Sequence, residues 1–162
     1  GDGSHAKWAK QALRGAILRD QHRNERGVLL DLWRPSSRRM LDRYVDEGRT
    51  WSTVTPVVVP GFDDGKQTKA ERLALKAASR AGIPLEAIEH LVLRKAPFWP
   101  GSHHVRHYFV PDYLRRFRRW HVWLQLHEPI PGPLAIGAGR HVGLGLFATT
   151  DSGQPKEPGP AS

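Results

Sequence analysis

From Gly132 to Phe147 the chain reads Gly-Pro-Leu-Ala-Ile-Gly-Ala-Gly-Arg-His-Val-Gly-Leu-Gly-Leu-Phe. Glycines at 132, 137, 139, 143 and 145 let the backbone turn sharply and approach a ligand with no side chain in the way. Successive free N–H groups in such a loop form a concavity that suits an anion. Arg140 and His141 stand inside it, so a phosphate held there would meet a guanidinium and a titratable imidazole. The loop departs from a dinucleotide fingerprint, because residues 144–149 read as a strand and not as a phosphate-capping helix.

Upstream of this loop, residues 113–123 read Tyr-Leu-Arg-Arg-Phe-Arg-Arg-Trp-His-Val-Trp. Arg115, Arg116, Arg118 and Arg119 cannot all face a core, and contact with backbone phosphates is the commonest use of such side chains. Their bland alternative is a solvated basic face. Residues 118–127 alternate as a strand, with Trp120, Val122, Leu124 and Leu126 on one face and Arg119, His121, Trp123, Gln125 and His127 on the other. The first face reads as core, and the second carries groups that stack on bases and meet phosphates. Trp123 is the stacking candidate. The formal net charge of +9 favours a polyanionic partner, and arginine adds planar, bidentate phosphate recognition. The chain has no cysteine, which excludes disulfides and thiolate metal sites. No apolar run approaches a membrane span, so a cytoplasmic protein without membrane contact is expected.

Around these two stretches the sequence arranges an α+β domain. Residues 6–20 have the apolar spacing of a short amphipathic helix, residues 28–33 suit a strand, and Ser36 or Ser37 caps a helix that ends at Gly48. Residues 53–59 read as a strand in which Pro56 marks an edge or a bulge. Thr68 and Glu71 form a capping box for a helix that Gly82 ends. Its apolar face carries Leu73 and alanines; the other side carries Lys69, Arg72, Lys76 and Arg80, a solvated face or a phosphate-facing ridge. A second strand falls at 88–93, the third at 118–127, a short helical turn near Pro133 and a last strand at 144–149. Strand, helix, strand, strand, short helix, strand is the order of a ferredoxin-like, RRM-like βαββαβ sheet, with the glycine-rich loop before its last strand. Residues 1–49 form an N-terminal helical and strand extension, 50–150 the ferredoxin-like domain, and 151–162 a disordered Pro/Gly/Ser-rich tail. The opening glycine is read as a cloning scar or the cut edge of a longer protein.

Three stretches recur in order: Thr-Trp-Ser-Thr-Val-Thr-Pro-Val-Val-Val-Pro at 50–60, Trp-His-Val-Trp-Leu at 120–124, and the glycine run at 132–147. Together they resemble the RAMP superfamily of CRISPR-associated proteins, and in particular the RNA-processing half of the fused subunit of the type I-U (I-G) effector complex. The resemblance implies a ferredoxin-like fold, binding of CRISPR repeat RNA and contact with other effector subunits. It also implies metal-independent cleavage of precursor RNA by attack of a ribose 2′-hydroxyl, with the product kept as guide. The alternative is a non-catalytic subunit that only holds guide RNA, and a third reading is a basic protein that assembles on nucleic acid or on a partner.

Such cleavage needs a base, an acid and a cation, and neither a cofactor nor a metal. Histidine is the side chain that titrates near neutrality. His121 on the strand, His104 in the loop with His103 and His107, and His141 in the glycine loop are the catalytic candidates, each against the reading of an ordinary structural or surface imidazole. Gly137, Gly139, Arg140 and Gly143 join Arg115, Arg116, Arg118, Arg119 and Trp123 as RNA-binding candidates. The histidine cluster lacks a carboxylate or thiolate companion and is not read as a zinc site.

Overall fold

A computed structural model describes residues 17–19, 22–28, 41–61 and 66–151, and the chain divides into two units, 1–40 and 41–162. In the first unit, strands β1 (Ile17–Arg19) and β2 (Glu25–Val28) pair antiparallel with a register shift after Leu18. Residues 17–19 are therefore extended, not the end of a helix. The remainder of the helix expected at 6–20, the segment at 29–33 and the Ser36/Ser37 cap lie outside the described residues, as does the tail beyond Asp151.

The second unit is a mixed α/β structure built on a curled, five-stranded antiparallel sheet. Residues 41–45 are helical, and the chain then enters β3 (Glu47–Thr53), so the helix stops before Gly48, which lies within the strand. The strand expected at 53–59 is not continuous: a break at 54–56, around a Pro56 that cannot donate a ladder bond, separates β3 from β4 (Val57–Val58). Helix α1 (Gln67–Arg80) follows, then β5 (Ile88–Arg94), β6 (Arg119–Pro131) and β7 (Phe147–Thr149). β6 is the centre of the sheet: β3 and β5 both align with it, opposing Trp51 and Leu91 to Leu124, and β4 aligns Val57 with Trp120. β7 pairs with β3.

Helix α1 buries Ala70, Ala74, Ala77 and Ala78, whose small side chains let it lie close on the sheet. Beneath it sit Trp51, Val57, Leu93, Trp120, Val122, Leu124, Leu126 and Phe147, so the β6 face read as core is core. The helix starts one residue before Thr68, and Lys66 at its N-cap makes no side-chain cap bond. Glu71 instead accepts from Gln67 Nε2 at 3.1 Å, which replaces the expected Thr68–Glu71 box. At the other end Ala81 caps the helix and Gly82 takes φ +94°, as expected of a terminating glycine. No helical turn forms at Pro133. The turn of this region is a 3₁₀ segment at Arg140–Val142, at the tip of the glycine loop.

Candidate nucleic-acid interface

The glycine loop is a hairpin held against the β4 end of the sheet. Its arms bond to each other through Ile136 N to Gly145 O at 2.9 Å and Phe147 N to Leu134 O at 3.0 Å. Gly145 N donates to Pro56 O and Ala138 N to Val58 O, both at 2.9 Å. Gly145 makes this closure sterically feasible: at φ +72° a Cβ there would stand 1.9 Å from the Ile136 carbonyl oxygen. Gly137 and Gly139 also pack closely: a Cβ would stand 2.7 Å from Val58 O at the first and 2.7 Å from Leu144 Cβ at the second. These glycines thus serve close packing of the hairpin, while Gly143 lies open and exposed at its tip.

Packing of this kind carries Arg140 and His141 outward. Both are exposed, and Arg140 Nε donates to His141 Nε2 at 3.3 Å. They line a cleft of about 250 Å³ together with Gly137, Ala138, Pro60, Ala77 and Arg80. Arg80 comes from the last turn of α1, where its charge also complements the helix C-terminus. Two guanidinia and an imidazole line this one cleft, a set of charges and donors that suits a phosphate or phosphodiester. Sequence placed Arg80 only within a basic stripe; its convergence with the loop depends on how α1 lies on the sheet.

The arginine run belongs to the same end of the domain. Val58 from β4, Leu144 from the glycine loop, and Val110 and Leu114 from the segment before β6 make a second small core, flanked by Tyr108, Phe117 and Ala138. Arg115, Arg116 and Arg118 are exposed on that segment, Arg115 pairing with Asp112 at 3.0 Å. Arg119 is half-buried and donates to Tyr108 O at 3.1 Å, so it braces the segment. Three of the four arginines thus stand on a segment, and Arg140 and His141 on a loop, that are both anchored in this small core.

The other face of β6 is closed at His121 and Trp123, while Gln125 is half-buried and His127 exposed. Segment 95–110 folds over it: Tyr108 Oη and Ser102 Oγ donate to Val54 O at 3.0 Å, and Trp99 Nε1 donates to Ser52 O at 3.2 Å. Trp123 is 4% exposed, and its indole N–H has no partner among the described residues. Its ring is not offered to a base in this arrangement. His121 is fully buried. Its Nε2 lies 2.9 Å from His103 O, and a carbonyl only accepts, so Nε2 carries the proton. Nδ1 then accepts from Thr53 Oγ1 at 3.1 Å, while Thr53 Oγ1 accepts from Val122 N at 2.9 Å. Burial pushes the imidazole below the ordinary histidine range, with Arg94 and His104 adding to the shift and the His103 carbonyl opposing it. His121 is thus a neutral strut with both nitrogens engaged, placed to hold the 95–110 segment on the sheet. The period-two pattern put it on the non-core face correctly, but the pattern holds no signal for what covers that face.

His104 is half-buried at the head of the 3₁₀ turn Val105–His107, and its Nδ1 accepts from Arg106 N at 3.3 Å. Desolvation lowers its pKa, with Arg106, His107 and Lys95 adding to the effect, and, with Nδ1 accepting, the neutral ring presents Nε2–H. His103 and His107 are exposed beside it, and no trio of His, Asp or Glu among the described residues is placed to hold a metal ion. Among those residues no helix is long and apolar enough to cross a membrane.

No curated protein and no solved structure matches the chain. A family model does: CRISPR-associated protein, GSU0054 family, matches residues 2–149 and so spans both units. A basic chain with an arginine-lined cleft beside a glycine hairpin thus belongs to the GSU0054 family of CRISPR-associated proteins.

Proposed function

We propose that this chain binds CRISPR repeat RNA, cleaves it without a metal ion and keeps the product as guide, in contact with other subunits of an effector complex. Family membership supplies the CRISPR setting, and the convergence of Arg80, Arg140 and His141 on one cleft carries the reading. The strand order β7–β3–β6–β5, with α1 joining β3–β4 to β5, supports a ferredoxin-like sheet in which the first and third strands lie centrally. The glycine hairpin takes the place of the second helix. That arrangement, with the motif order, supports a RAMP-type RNA-processing subunit.

In the proposed reaction a ribose 2′-hydroxyl gives its proton to a base, and O2′ attacks the adjacent phosphorus. The 5′-oxygen leaves with a proton from an acid, giving a 2′,3′-cyclic phosphate and a 5′-hydroxyl. His141 is the exposed imidazole of the cleft and carries the proton transfer, while Arg80 and Arg140 hold the phosphate and the charge that develops on it. His104 presents Nε2–H as a phosphate donor. Arg115, Arg116 and Arg118 track the strand beyond the cleft. A non-catalytic guide holder is the second reading, favoured by one observation: His121, the catalytic candidate on the central strand, is locked and cannot reach a substrate.

Affinity for a labelled repeat RNA, measured across a salt series, tests the binding site. Arg80→Ala and Arg140→Ala should each lower affinity and reduce the slope of log K against log salt by about 1. Unchanged slopes in both variants would remove the cleft from the interface.

A further inference from the structure

The most conspicuous apolar side chains of the described residues are on the arginine-bearing segment. Phe109 is 80% exposed and Tyr113 is 64% exposed. Trp51, Phe98, Trp120, Trp123 and Phe147 are buried, and Tyr44, Trp99, Tyr108 and Phe117 are half-buried. A single exposed aromatic is ordinary surface. Here, however, each exposed ring is followed in sequence by a buried anchor, Val110 at 5% and Leu114 at 3%, both in the small core with Val58 and Leu144.

The backbone that carries the rings is tied down on both sides of the 3₁₀ turn Asp112–Leu114. Leu114 N donates to Pro111 O at 2.9 Å and Phe117 N to Leu114 O at 3.0 Å, while Arg119 holds Tyr108 O. The rings are thus presented from an ordered platform, which reduces the ordering cost of binding. Arg106, Arg115, Arg116 and Arg118 are exposed on the same stretch of chain, and of these Arg115 alone has a carboxylate partner among the described residues. Exposed rings among exposed guanidinia suit a polyanion that also offers flat apolar faces.

We infer that Phe109 and Tyr113 are stacking residues for unpaired nucleotides, so that this surface takes a single-stranded segment of RNA beside the phosphate cleft. A duplex hides its base faces in its own stack, whereas an unpaired strand has them free to receive an aromatic ring. The inference rests on the RNA-binding reading above and names the part of the RNA that this surface takes. It also moves the stacking role from Trp123, which is buried, to rings that sequence alternation did not single out.

The test compares binding of labelled oligouridine and of a fully paired RNA duplex of equal length to the full chain. Phe109→Ala and Tyr113→Ala should each weaken oligouridine binding about 5- to 150-fold and leave duplex binding unchanged. Phe109→Trp and Tyr113→Phe should retain binding, and Phe109→Leu should not, because bulk without a π-face does not stack. If wild type binds RNA and the alanine variants match it, or lose both ligands equally, stacking is overturned while the proposed function stands. If wild type binds repeat RNA but not oligouridine, stacking is overturned while the proposed function stands; if it binds no RNA, repeat RNA included, both readings fall. If the variants keep RNA affinity but no longer assemble with effector subunits, the rings form a protein interface and the inference is overturned.

Discussion

Replacing Thr53 by valine tests the strut that holds the 95–110 segment on the sheet. Valine matches threonine in shape but removes the hydroxyl, which accepts from Val122 N at 2.9 Å and donates to His121 Nδ1 at 3.1 Å. Thr53 and His121 are both fully buried, so water does not replace either bond. Two stranded polar groups cost about 1–3 kcal/mol each. The added methyl returns about 0.8 kcal/mol of apolar burial. The expected net loss is roughly 1–5 kcal/mol, a large share of the 5–15 kcal/mol of a typical domain. Thr53→Ser keeps the hydroxyl and removes one methyl, which costs about 0.5–1.5 kcal/mol. Urea unfolding followed by tryptophan fluorescence reads both variants. A double-mutant cycle of Thr53→Val with His121→Ala should add a coupling of 0.5–3 kcal/mol, in the range for residues in one network. Equal losses for the valine and serine variants, or a coupling of zero, would refute the strut.

The same histidine predicts a pH dependence. Its folded-state pKa lies below the unfolded value near 6.5, so above that pH both states are neutral and its contribution is fully present. As pH falls below 6.5 the unfolded chain takes up a proton that the folded chain refuses, and stability declines by about 1.4 kcal/mol per pH unit until the folded-state pKa is reached. His121→Gln, which retains a donor toward His103 O, should flatten that part of the profile in urea titrations between pH 7 and 5. The glycine hairpin predicts unequal costs: Gly145→Ala meets the Ile136 carbonyl at 1.9 Å and should prevent the hairpin closing, with a large fall in melting temperature. Gly143→Ala faces open space at φ +78° and should cost only the left-handed strain, roughly 1–2 kcal/mol, less for asparagine.

Much of the framework was legible because it depends on local periodicity. The alternation of Trp120, Val122, Leu124 and Leu126 found the core face of β6, and the alanine stripe found the buried face of α1. Pro56 reads as an edge or a bulge within one strand at 53–59, whereas the chain breaks there into β3 and β4. Helix capping was less legible, since Gln67 competes for Glu71 in a way that spacing does not reveal. The site was legible in its parts and not in its assembly. Arg140 and His141 stood out from their glycines, but Arg80 joins them only through the packing of α1. His121 and Trp123 alternate like exposed residues, and a loop far from any periodic signal covers His121. Phe109 and Tyr113 are exposed because their neighbours Val110 and Leu114 take the core positions, a choice set by the shape of the second core.

Incubating the chain with labelled repeat RNA in EDTA, and resolving the products, tests the central claim most directly. The account predicts one cut that leaves a 2′,3′-cyclic phosphate, abolished by His141→Ala and retained by a Thr53→Ser chain that is folded at the assay temperature. RNA bound tightly but left whole by the wild-type chain would contradict cleavage by these residues and leave a guide-RNA holder.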